Sequence, residues 1–170
     1  MKKHYNLFLL LFSIVLISSC KKDEPVTPAA TIVGKWEATD AAGKITVVDF
    51  QTGKPSDQNL TQKLTGVTYE FKADKTFTAT GAVTADATID NVPISGTYAL
   101  TGTEVKLSYK KDGKDTFEYF TLNTLATSNM TWTTNKDLLI KGLTESKEPN
   151  IALVAILVSA LDLKINFKKI

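Results

Sequence analysis

The stretch V-T-Y-E-F-K-A-D-K-T-F-T-A-T-G, Val67 to Gly81, decides the fold. Val67, Tyr69 and Phe71 alternate with Thr68, Glu70 and Lys72, and after Ala73-Asp74-Lys75 the run from Thr76 resumes the alternation. A period of two sends successive side chains to opposite faces, so each segment reads as a strand with one apolar face, and the short polar break reads as a hairpin turn. The arrangement recurs downstream. Ser95 to Leu100 pairs across Thr101-Gly102-Thr103 with Val105, Leu107 and Tyr109, whose intervening residues Lys106, Ser108 and Lys110 are polar. Lys111-Asp112-Gly113-Lys114 holds an Asp-Gly turn signal, Phe117 to Leu125 continues the extended pattern, and Thr127-Ser128-Asn129 leads into Met130, Trp132 and Thr134. Leu161 to Phe167 alternates again. About eight short strands with turns at this spacing imply an all-β sandwich or barrel with a single core.

Two segments break the rhythm. Pro55-Ser56-Asp57 followed by Gln58 to Leu64 reads as a short capped helix or a polar loop. Pro149 to Ala160, P-N-I-A-L-V-A-I-L-V-S-A, puts proline at a plausible first helical turn and carries apolar groups on nearly every side. A short, largely buried helix before the last strand fits it, and its Val and Ile content leaves a buried strand open.

Ahead of the strands, Lys2 and Lys3, the apolar run Leu7 to Ile17, and Ser18-Ser19 before Cys20 have the three-part layout of a signal peptide. The run is shorter than the roughly 20 residues that span a bilayer. Ser18-Ser19-Cys20 resembles the bacterial lipobox, which implies that residues 1–19 are removed and Cys20 is lipidated; an ordinary signal peptide is the alternative. Acyl chains contribute about 0.8 kcal/mol per buried methylene, so several on one residue anchor a protein firmly. Lys22, Asp23 and Glu24 resemble the export signal of Bacteroidota-type surface lipoproteins, and they read equally as a solvated tether. With Pro25 and Pro28 stiffening the spacer, residues 20–30 form the tether and 31–170 the domain. The expected location is the outer membrane, lipid-anchored, on the cell surface.

Cleavage before Cys20 removes Lys2, Lys3 and His4 and leaves equal numbers of lysines and acids, with no arginine anywhere in the chain. Charge offers no face for nucleic acid, and forked recognition of phosphate is excluded. Without imidazole or free thiol, Ser-His and Cys-His nucleophile pairs and His/Cys zinc sites are excluded too. A carboxylate pair acting on glycosides or an oxygen-ligated calcium survives as a route. Asp86, Asp90 and Asn91 form the one suggestive acidic group, and they read better as a solvated turn. The expectation is a protein that is not an enzyme and has no metal and no cofactor.

Gly34-Lys35-Trp36, after the apolar pair Ile32-Val33, resembles the Gly-x-Trp element that opens lipocalins. The hairpins Tyr69–Thr78 and Gly96–Leu107 are similar to those of lipocalin-like lipoproteins of the Bacteroidota type. The resemblance covers roughly residues 31–170 and implies an up-and-down antiparallel barrel. It implies that Gly34 and Trp36 close the barrel floor, with an arginine of the last strand across the tryptophan; here Lys164 or Lys168 would have to substitute. Such a barrel either fills its interior with side chains or holds one small ligand. Tyr69, Phe71, Tyr98, Leu107, Tyr109, Phe117, Tyr119 and Trp132 share strand faces with other apolar residues and are the candidates for lining a cavity or for packing the core. The expected function is binding of a small hydrophobic ligand without catalysis; the alternative is a filled barrel whose outer surface docks another protein.

Overall fold

Strand β1 (Gly34–Val48) is long and is joined along its edges by β2 (Pro55–Asn59), β3 (Gln62–Lys63) and β4 (Thr68–Phe71). Then follow β5 (Thr76–Thr80), β6 (Ala82–Val83), β7 (Ile89–Asp90), β8 (Ile94–Thr101), β9 (Glu104–Lys111), β10 (Lys114–Leu125) and β11 (Asn129–Asn135). Two helices, α1 (Lys136–Glu145) and α2 (Ile151–Leu157), precede the last strand β12 (Val158–Lys169). This is the computed structural model of the chain, and it describes residues 30–83, 89–90 and 92–170. Cys20, Lys22, Asp23, Glu24, Asp86 and Asn91 lie outside the described residues.

The order β1-β4-β5-β8-β9-β10-β11-β12 is a meander of antiparallel neighbours, and β12 pairs back onto β1 from Trp36↔Lys169 to Val47↔Val158. That pairing closes an eight-stranded barrel, so the edges an open sheet would expose are used up. Each hairpin follows its local chemistry. The β9–β10 turn, for instance, needs positive φ at both central residues, and Asp112 (51°) and Gly113 (79°) supply it. The barrel is the expected one; its accessory parts differ from expectation in three places.

Pro55 to Leu64 is neither helix nor loop, since β2 and β3 lie exposed against β1. Beyond the barrel wall β1 still has backbone groups to satisfy, and Asp57 ties β2 to it by accepting from Thr46 Oγ1 (2.6 Å) and Lys44 Nζ (3.3 Å). Pro55 ends the pairing, where a missing N–H is harmless.

Helix α1 is an addition. Asn135 caps it by accepting from Leu138 N (3.0 Å), Asp137 sits in its first turn, and Leu139 reaches the core. At Gly142 the helix packs so closely on β10 that a Cβ would stand 2.5 Å from the Phe117 carbonyl oxygen.

Helix α2 stands where an apolar helix is expected, but it is shorter and far less buried. Val158 already belongs to the strand, pairing with Val47, and none of the residues of α2 is fully buried. Val154 packs on the core, whereas Leu153 (42% exposed) and Ile156 (67%) face outward. A helix laid across a rim has an underside to bury and a back left open, which is why apolarity on every side does not make it a core element.

Candidate functional site

The end of the barrel nearest the N-terminus of β1 is sealed. Trp36 is fully buried and donates from Nε1 to the Ile32 carbonyl (2.7 Å), and Lys169 lies over its ring at 5.1 Å while donating to the Val33 carbonyl (3.1 Å). The lysine across the tryptophan is therefore Lys169, a correction to Lys164 and Lys168. Strand phase explains it: Leu161, Leu163, Ile165 and Phe167 point inward, and position 169 continues that phase. Lys164 is exposed and Lys168 pairs outside with Glu37 (2.8 Å). Gly34, at φ 133°, gives way to this lysine, since a Cβ there would come within 2.6 Å of Lys169 Cε.

Above the floor the interior is solid. Trp132 meets Tyr69 at 5.4 Å, Phe71 at 5.7 Å, Phe120 at 5.0 Å and Phe167 at 4.9 Å between ring centres, and Phe71 contacts Phe77 (6.1 Å) and Tyr98 (5.0 Å). Of the eight candidate lining residues, Tyr69, Phe71, Tyr98, Leu107 and Trp132 are buried as core in this part of the barrel. Tyr109 is buried higher up, at the opposite end.

Phe117 and Tyr119 take the other strand phase of β10 from the interior residues, though Phe117, with Tyr109, is one of the candidates that line the cleft described below, and Tyr119 is not. On β10 the inward phase is Glu118, Phe120 and Leu122, paired with the inward Leu107 and Val105 of β9. Phe117 and Tyr119 take the outward phase beneath α1, where Lys106 Nζ stands 4.6 Å from the Phe117 ring and Lys141 Nζ 4.1 Å from the Tyr119 ring. Glu145 clamps the helix down, accepting from Lys106 and from the Tyr119 hydroxyl. Those two hydrogen bonds, Lys106 first, hold the Glu145 carboxyl below its ordinary range, and the same bond raises Lys106. Burial first, then the bond to Glu145, raises Tyr119.

At the opposite end the barrel opens into a cleft of about 620 Å³. Its walls are Ile45 of β1, Leu138, Leu139, Gly142 and Leu143 of α1, Val154 of α2 and Val158 of β12. Its floor holds Tyr109 (6% exposed) and Glu118 (8% exposed), joined by the tyrosine hydroxyl donating to Glu118 Oε1 at 2.9 Å. Lys111, Asp112 and Lys114 of the β9–β10 turn, with Glu148 between the helices, form the rim. This volume lies within the range of small-molecule sites, about 300–1,000 Å³, and so does the lining, mostly apolar with a few polar groups. Among the described residues no three His, Cys, Asp or Glu side chains gather as a metal would require.

Glu118 has no place among the candidates read from the sequence. The run T-F-E-Y-F-T-L carries apolar groups in both phases because both faces of β10 are covered, so period two could not say which faced in. A signal for α1 did exist in T-N-K-D-L-L-I-K-G-L: an Asn cap, an acid in the first turn, and leucines at helical spacing.

A family model described as a lipocalin-like domain matches residues 32–132, more than half of the chain. Among solved structures, a lipocalin-like protein from Bacteroides uniformis ATCC 8492 aligns with 16% identity and a TM-score of 0.42, covering 81% of this chain and 97% of that one. No curated protein matches the chain.

Proposed function

Because this chain belongs to the lipocalin-like domain family, we infer that it binds a small, largely apolar molecule in the mouth cleft and performs no chemistry on it. The observation that carries this reading is the asymmetry of the barrel interior: solid from Trp36 to Phe120, then open over Tyr109 and Glu118 in a cleft of about 620 Å³ walled by two helices. The residues that would carry hydrolytic or redox chemistry are sparse, since the histidine and the cysteine both lie at or before position 20 and no arginine occurs.

The protein is anchored by lipid on Cys20 to the outer membrane and displayed on the cell surface through Lys22, Asp23 and Glu24. On that reading the anchor joins the domain at the N-terminus of β1, on the sealed side of the barrel. Native mass spectrometry of the protein purified gently from its own membranes tests the carrier reading; a retained small molecule supports it, and repeated recovery of empty protein counts against it. Cys20→Ser should abolish fatty-acid labelling and release the chain from the membrane fraction. Equal labelling of both proteins would remove the anchor.

One observation favours a second reading. Phe50 (80% exposed), Leu153 and Ile156 stand outward at the mouth end, where β1 and α2 finish beside the Val47↔Val158 pair. Single exposed apolar residues are ordinary, but three at one end suit a protein that docks there. Ile156→Ser leaving the retained ligand unchanged while abolishing co-purification of a protein partner would favour docking as the main role.

A further inference from the structure

We propose that the outer edge of β2 pairs antiparallel with the β2 of a second copy of this chain, joining two barrels into a dimer through backbone hydrogen bonds. Closure of the barrel does not use up this edge, because β2 lies outside the closed ring and, among the described residues, pairs with β1 alone. Asp49 N donates to the Lys54 carbonyl (2.9 Å) and Leu60 N to the Gly43 carbonyl (2.9 Å), which fixes the alternation between them. Val47 with Ser56 and Ile45 with Gln58 are then the bonded pairs, so Asp57 and Asn59 turn their N–H and C=O groups away from β1. All of β2 is exposed. Natural edges are commonly guarded by lysine, proline or a bulge. Here Pro55 stands only where β2 begins, and no lysine falls between Lys54 and Lys63 in a chain that has 20. Asp57 carries the charge of this edge, and Lys44 Nζ offsets it at 3.3 Å.

The strand is complementary to itself, which is what selects a second copy as the occupant. Pairing about Gln58 sets Asp57 of each copy opposite Asn59 of the other, and each of these two pairs exchanges both of its backbone bonds. The side chains agree. Asn59 Oδ1 already accepts from Thr61 N (2.8 Å), so the amide has its Nδ2 donors to offer, and the carboxylate opposite is an acceptor. Gln58 meets Gln58 on the other face, an amide that donates and accepts against its own kind. In the register centred on Asp57 instead, two carboxylates would stand opposite each other, and the Asn59 carbonyl would meet Pro55, which has no N–H. An edge of five residues covers far less than the roughly 1,200 Å² of a stable complex, so the dimer is weak, with a dissociation constant of about 0.1–1 mM.

The test is sedimentation velocity, with amide exchange followed residue by residue by NMR, on residues 20–170 carrying Cys20→Ser, a chain that holds the entire closed barrel and its core. Between about 20 μM and about 2 mM the sedimentation coefficient should rise toward that of a dimer. Over the same range exchange at Asp57 and Asn59 should slow several-fold, while Ser56 and Gln58, already bonded to β1, stay as they are. Asn59→Pro removes an outward donor and spares the bonds to β1, so it should remain monomeric throughout with little change in melting temperature. Gln58→Lys leaves the backbone alone and sets like charges face to face, and it should weaken association about fivefold. A single species at every concentration, a dimer that survives Asn59→Pro, or concentration-dependent protection that falls elsewhere in the chain overturns the proposal. Should Asn59→Pro lose its fold, Gln58→Lys decides, and association as strong as that of wild type overturns the pairing.

Discussion

The two ends of this barrel use the same strands and largely the same kinds of side chain, yet one is closed and the other open. At the floor, rings fill the cross-section: Trp132 touches four other aromatics, and Lys169 covers Trp36 from below. At the mouth a cleft lies over Tyr109 and Glu118, and two helices take the place of further core side chains. On the proposed function, the difference teaches that stability and binding are housed separately. Close-packed aromatics hold the strands together, and the rim, relieved of that task, can carry a buried carboxylate and half-exposed apolar walls.

That division predicts where damage falls. The largest effect should come from the floor side: Trp132→Ala removes a fully buried ring and should cost about 3–5 kcal/mol in urea denaturation, without changing affinity in the fraction that stays folded. Gly142→Ala comes next, because its Cβ would meet the Phe117 carbonyl oxygen and push α1 off β10. An overpacking cost of about 1–3 kcal/mol is expected, together with weaker ligand binding, since α1 is a cleft wall. Stability loss with unaltered binding would break the link between helix and cleft.

Lys169→Met keeps an apolar stem across Trp36 but loses the charge and the bond to Val33, a loss of about 0.5–1 kcal/mol with binding untouched. The smallest effect is electrostatic. Glu145 has its carboxyl held below the ordinary value of 4.5, so its contribution is complete above that pH and is lost as pH falls through the folded value. Thermal melting should therefore decline between pH 4.5 and strong acid more steeply in wild type than in Glu145→Gln. Identical acid profiles would show that the clamp on α1 adds nothing to stability.

Much of the floor was legible in the sequence, and little of the mouth. Tyr69, Phe71 and Trp132 sit in strands whose other face meets solvent or polar neighbours, so alternation told inside from outside. On β10 it could not, because α1 covers the outer face and makes Phe117 and Tyr119 as apolar as Phe120 and Leu122 opposite them. The helix expected within Pro149 to Ala160 is present, and its overestimated burial has a related cause: composition reports how apolar a segment is, not whether a partner lies on both sides. Glu118, one acid between two aromatics, becomes meaningful only once the strand phase is known.

The central claim, that the sealed floor is structural and the open mouth binds, is tested most directly by mapping amide chemical shifts of isotope-labelled protein during titration with octanol, a small, largely apolar probe. The account predicts saturable shifts concentrated at Tyr109, Glu118, Leu139, Gly142 and Leu143, with Trp36, Phe71 and Phe167 unmoved. Shifts centred on the floor residues, or saturable binding that leaves the mouth silent, would contradict it.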